Sequence, residues 1–125
     1  MGLNVGNEGT LNINEISTPG TSTYIYNAMI AGVREQSADL KIVLMRSPAH
    51  MGENALLALK AIADENDGFV IDLADTRYIN LNEVKYHGWY DNNGTPAFDD
   101  THFSRIGYAA KAYNVIRWLG RLLPN

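Results

Sequence analysis

Asp99 and His102 are the residues of this chain whose types and spacing point most directly to chemistry. They stand three apart in Asp99-Asp100-Thr101-His102, just before a capped amphipathic stretch at the C-terminal end. An imidazole accepts a proton near neutral pH. A carboxylate beside it fixes its tautomer and stabilises the imidazolium that forms. The pair has the chemistry of the base and orienter of a nucleophilic triad, and also that of a loop pair that only orders the turn. No matching serine is evident. Ser47 ends an apolar run, but Pro48 follows it instead of the glycine of a nucleophile elbow, so it reads as a turn residue.

Three aromatic residues, Tyr86, Trp89 and Tyr90, lie in the weakly periodic stretch Ala74 to Phe98. They have the chemistry to stack on a sugar ring or line an acyl pocket, and equally to pack the stretch onto the body. A structureless stretch this long inside a compact domain is usually functional or disordered. Its aromatic content favours an ordered loop near a site. His50, His87 and Glu53 are metal-ligand types, but no His pair at i, i+4 and no H-E-x-x-H occurs. No metal and no cofactor is expected. The chain has no cysteine, which excludes disulfides, thiolate metal sites and cysteine catalysis.

The elements that must position these groups follow from composition and pattern. A chain of 125 residues with 46% hydrophobic content is expected to be a single domain spanning 1–125. The net charge is −4 and Lys and Arg are scattered, so no nucleic-acid partner is expected. The stretch from Arg105 to Arg121 is more basic and reads as a solvated helix face. No apolar run approaches the roughly 20 residues of a membrane span. The polar start, Met1 to Gly9, lacks the basic and apolar regions of a signal peptide, and no compartment can be assigned.

The first 20 residues are rich in Gly and Asn and read as loop. Thr21, Ser22 or Thr23 can cap a helix to about Gln36, its apolar face formed by Ile25, Met29 and Val33 beside Ala28 and Gly32. Lys41 to Met45 reads as a strand buried on both faces. A Leu- and Ala-rich helix from Glu53 to Glu65 follows, broken at Gly68, and Phe69 to Leu73 reads as a second buried strand. Ser104 caps the last helix, with Ile106, Ala109, Ala110, Tyr113, Ile116 and Leu119 as its expected apolar face. Alternating helix and strand predicts an α/β layered fold with right-handed crossovers. Two strands do not complete such a sheet. Further strands must come from the Asn-rich start or from elsewhere.

Asp99 to Tyr108 (DDTHFSRIGY) closely resembles the last motif block of the SGNH, or GDSL-type, hydrolases. That block is Asp-x-x-His before the final helix, with a Gly a few residues on; Asp99, His102 and Gly107 match. A weaker match is Gly2-Leu3-Asn4, similar to the family's Gly-x-Asn-Asp block with Val5 in place of the Asp; Asn7 in Gly6-Asn7-Glu8 is a competing assignment. In the family, helix, strand, helix and strand lie between these two blocks, which is the order read above.

The resemblance implies a three-layer, flavodoxin-like α/β fold. This chain would form the C-terminal part, with an incomplete parallel sheet and flanking helices. It implies an esterase or acylhydrolase with a Ser-His-Asp triad. His102 would be the base, Asp99 its orienter and Asn4 the oxyanion donor. The blocks that carry the serine and the oxyanion-hole glycine are missing, so the isolated chain is expected to be inactive. The family's substrates include lipid esters, thioesters and acetylated carbohydrates. The polar, aromatic loop favours a small acyl group on a carbohydrate, with Tyr86, Trp89 and Tyr90 binding the substrate. Partners would be a small-molecule or glycan ester and an upstream hydrolase segment, or a second copy meeting the open strand edges. The other expectation is a non-catalytic interaction or glycan-binding module derived from the same fold.

Overall fold

A computed structural model describes residues 11–48, 51–81 and 103–123. The elements run α1 (Ser22–Gln36), β1 (Val43–Arg46), α2 (Glu53–Glu65), β2 (Phe69–Asp72) and α3 (Arg105–Leu122). The strands β1 and β2 pair in parallel, and α2 joins them as a βαβ unit. The chain is therefore α/β. Among the described residues the sheet has these two strands alone. The expectation of a strand from the Asn-rich start falls on residues 1–10, outside the described residues. Residues 11–20 hold a short 3-10 turn, Ile13–Glu15, capped by the Asn12 side chain. The chain divides into two compact units, 1–46 with 50–70, and 47–49 with 71–125.

The first unit is organised around α2. Its sequence, ENALLALKAIADE, is made of strong helix formers, and Ala55, Ala58, Leu59 and Ile62 recur on one stripe. That stripe is buried with Leu11, Ile30, Ile42 and Leu44 in one cluster. The helix ends in a Schellman turn. The Gly68 N–H donates to the Ala63 carbonyl (2.8 Å) across Asp67, whose φ is +52°. Gly68 also allows a close approach of two backbones. A Cβ there would sit 3.2 Å from the Ile42 carbonyl oxygen, where the Phe69 N–H bonds at 2.9 Å to start the strand pairing.

Two expectations about faces are corrected here. Strand β1 is not buried on both sides. Ile42 and Leu44 face the α2 cluster, while Met45, on the alternate side, is 46% exposed. Helix α1 does not bury Ile25, Met29 and Val33. Ile25 and Val33 are exposed and Met29 is half-buried, whereas Thr23 and Ile30 are buried.

The reason is polar. The face carrying Thr23, Asn27, Ile30 and Arg34 supplies donors and acceptors that the neighbouring backbone lacks. The Thr23 hydroxyl accepts from the Asn12 N–H (2.8 Å). Asn27 donates to the Glu65 carboxylate (3.0 Å) and accepts from the Asn66 amide (3.2 Å). Arg34 donates to five backbone carbonyls. Its Nε reaches Asn66 (2.9 Å), its Nη2 reaches Asp67 (3.0 Å), and its Nη1 reaches Ser37 (3.3 Å), Ala38 (2.8 Å) and Leu40 (2.8 Å). These carbonyls cluster around the ends of two helices, where intrahelical partners run out. Turning the apolar stripe inward would leave these carbonyls to water alone.

The second unit holds the end of β2, the turns after it and α3. Its buried side chains include Ile71, Leu73, Leu81, Phe103, Ala110, Asn114 and Trp118. The expected apolar face of α3 is corrected as well. Ala110 is buried and Leu119 half-buried, but Ala109 is exposed and Ile106, Tyr113 and Ile116 are 62%, 48% and 66% exposed. The inward face is Gly107, Ala110, Asn114 and Trp118, at spacings of three, four and four.

The Arg34 fan yields a direct test. A lysine ammonium cannot serve carbonyls lying in three directions, because it lacks the planar fork. Arg34→Lys should lower unfolding free energy by about 1–3 kcal/mol in urea titrations. An unchanged midpoint would show that water replaces the guanidinium at no cost.

Candidate active site

The sequence-identified site residues Asp99, His102, Asn4, Tyr86, Trp89 and Tyr90 all lie outside the described residues, as do Asn7, His50 and His87. Ser47 and Glu53 are described. Ser47 directly follows β1. Glu53 opens α2, and its carboxylate pairs with the Arg46 guanidinium at 3.2 Å. The structure also shows how the chain enters and leaves residues 82–102, which carry five of the six site residues. Both ends are fastened to α3.

The exit is built from the residues after His102. Phe103 is buried and meets the Tyr108 ring edge-on, centroids 5.6 Å apart. Ser104 has extended backbone and is the N-cap of α3; its hydroxyl accepts from the Gly107 N–H at 3.2 Å. The Lys111 ammonium lies 5.8 Å from the centre of the Phe103 ring. Burial holds the Lys111 pKa below the usual lysine value. The backbone immediately after His102 is thus set by a ring contact, a cap and a helix start.

The entry is built on the middle of the same helix. Asn114 is buried, and its side-chain amide pairs with both peptide groups of Ile79. Its Oδ1 accepts from the Ile79 N–H (3.0 Å), and its Nδ2 donates to the Ile79 carbonyl (2.8 Å). The amide imitates one rung of a sheet, so this part-buried loop backbone is paired without a strand partner. Tyr78 meets Trp118 edge-on at 6.1 Å, Arg77 lies 4.5 Å over the Trp118 ring, and Arg117 lies 5.6 Å over Tyr78. Asp75 grips Arg77 with both oxygens, at 3.1 and 3.0 Å, and accepts the Arg77 N–H at 2.8 Å. The Arg77 side-chain hydrogen bonds hold the Asp75 carboxyl below its ordinary pKa, and desolvation opposes them.

Gly107 and Asn114 are separated by about 10 Å of helix rise. Both ends of the candidate loop are therefore referred to one short length of α3. A rigid element that anchors a loop at its ends is the usual way a scaffold positions catalytic groups. Sequence reading missed Asn114. The available signal was a lone amide in mid-helix, in phase with Gly107, Ala110 and Trp118. Such a residue is neutral to unfavourable in a helix unless its side chain has partners.

Two outcomes are expected. Asn114→Leu leaves the Ile79 N–H and carbonyl unpaired and should cost about 2–4 kcal/mol of stability. Asn114→Asp keeps the acceptor but sets a carboxylate oxygen against the Ile79 carbonyl in a buried site, so it should destabilise at least as much; equal stability of all three proteins would remove the anchoring role. For Lys111, the folded pKa lies below the unfolded one. The unfolded state then binds more protons between the two values, so stability rises with pH across that interval. Urea midpoints followed through the alkaline range below the ordinary lysine pKa should show this rise, and Lys111→Met should abolish it.

Comparison with protein-family models, with curated proteins and with solved structures finds no match to this chain.

Proposed function

We propose that the chain is the C-terminal part of an SGNH-type ester hydrolase, with the three-layer flavodoxin-like arrangement of that family. The observation that carries the reading is the anchoring of both ends of residues 82–102 on α3. It sits beside the Asp-x-x-His spacing and the Ser104 cap that directly follows. A base used in proton transfer must be held in a narrow range of positions, and fixed loop ends serve that requirement.

In this reading a serine from an upstream segment attacks the ester carbonyl. His102 accepts the serine proton and later returns it to the departing alcohol. Asp99 orients the imidazole and stabilises its cation. Asn4 donates to the oxyanion, an interaction of about 2.7–4 kcal/mol in comparable sites. Tyr86, Trp89 and Tyr90 bind the substrate, an acyl ester on a carbohydrate ring.

A second reading is a non-catalytic interaction or glycan-binding module on the same fold. The specific observation in its favour is the exposure of apolar side chains on α1 and α3, at Ile25, Val33, Ile106, Tyr113 and Ile116. No helix of the described residues is long and apolar enough to cross a membrane.

Hydrolysis of p-nitrophenyl acetate separates the readings. The chain alone should be inactive, and turnover that His102→Ala abolishes would demand a nucleophile within these residues. Joined to an upstream segment carrying the serine, the protein should hydrolyse the ester, and His102→Ala should lower the rate on the order of 10³-fold or more. A loss below tenfold would remove His102 from the triad and favour the binding module.

A further inference from the structure

Helix α3 carries Arg105, Lys111, Arg117 and Arg121 and no acidic residue, in a chain whose net charge is −4. Arg117 and Arg121 are four apart on one exposed face, a like-charge pair that destabilises a helix. The carbonyl end of the helix offsets part of that cost, since Arg121 lies in the last turn. It does not account for how the guanidinium groups are held. Arg77 lies 4.5 Å over the Trp118 ring, Tyr78 meets that ring edge-on, and Arg117 lies 5.6 Å over Tyr78. The charge of Arg121 adds, after the Arg77 hydrogen bonds, to what holds the Asp75 carboxyl below its ordinary pKa, so it too faces this cluster. Asp75 takes the Nε and Nη2 of Arg77. Among the described residues, neither Arg117 nor Arg121 has a carboxylate in salt-bridge contact.

A guanidinium lying on a ring spends its face there and keeps its edge, where the N–H donors point, for another group. The ring also removes freedom that an exposed arginine would otherwise lose on binding. Arg117 is held in this way by Tyr78, and Tyr78 by Trp118. The Cβ atoms of residues four apart on a helix stand about 5–6 Å from each other, so the two arginine edges can converge on one group. A carboxylate offers two oxygens and a single charge, which one fork consumes. A phosphate monoester offers three oxygens and close to two charges, which matches two forks and relieves the repulsion between them.

We propose that Arg117 and Arg121 are the two forks of a binding site for a phosphate monoester, with Arg77 and the Tyr78 and Trp118 rings holding the site in shape. The phosphate belongs either to a small soluble molecule or to a lipid headgroup; the recognition chemistry is the same. The site goes beyond the esterase reading and is independent of it, because none of its residues lies within 82–102.

Arginine Nε–H signals of the full chain, followed by NMR at constant ionic strength, test the site. Inorganic phosphate should shift the Arg117 and Arg121 signals along one saturable curve, and chloride should not. Arg117→Lys keeps the charge and loses the fork, so it should weaken phosphate binding about tenfold. Arg105 lies about 18 Å back along the helix, beyond the screening length of about 8 Å at physiological salt. Arg105→Gln should therefore change binding by no more than about twofold. Circular dichroism checks that both variants fold. Vesicles of phosphatidylcholine and phosphatidic acid form the second arm. Saturable phosphate binding without vesicle retention assigns a soluble ligand, and vesicle retention that Arg117→Lys abolishes assigns a lipid headgroup. Absence of saturable binding in both arms overturns the site. So does full binding by Arg117→Lys, or an equal loss in Arg105→Gln, since either would mean that net charge alone is at work.

Discussion

The constraint on which this structure depends is that buried peptide groups must find partners. A two-stranded sheet satisfies few of them, because each strand bonds along one edge. Side chains supply much of the remainder. In the first unit, Arg34 gathers five carbonyls from the ends of α1 and α2 and from the run into β1. In the second, Asn114 closes both peptide groups of Ile79. Both residues sit on helices whose most apolar stripe points elsewhere.

That choice has a cost in exposed apolar surface. Burying a large aliphatic side chain contributes about 1.5–3 kcal/mol, and an unsatisfied buried peptide group costs about 1–3 kcal/mol. Arg34 answers five carbonyls, those of Ala38, Leu40 and Asp67 through exposed bonds, whereas an Ile25 or Val33 face would bury two or three side chains. The same comparison explains α3, where Asn114 and Trp118 turn inward and Ile106 and Ile116 turn out. Apolar stripes left outside in this way are surfaces for another chain or segment.

For the chemistry, the contribution of α3 is geometric. The Asp99 to His102 motif lies outside the described residues, but the chain on either side of residues 82–102 is tied to one helix. The exit is held by Phe103 and the Ser104 cap, and the entry by Asn114. The capped start of α3 fixes the backbone from Ser104 onward.

Where the elements lie is legible in local signals along the chain. Cap residues, the Leu- and Ala-rich run of α2, the β-branched strand runs and the break at Asp67-Gly68 are local signals, and the observed helices and strands fall close to them. Which residues have the chemistry of a base and its orienter is legible there too. Which faces are buried depends on long-range contacts. Ile25, Met29 and Val33, and likewise Ile106, Tyr113 and Ile116, form apolar stripes as clear as any in the chain, yet they point out. Periodicity counts apolar residues around a helix, but the orientation chosen here is set by backbone carbonyls and N–H groups brought near from distant segments. Asn66 and Asp67 lie more than thirty positions from Arg34, and Ile79 as far from Asn114. No local pattern encodes those meetings, because they exist only once the chain has folded.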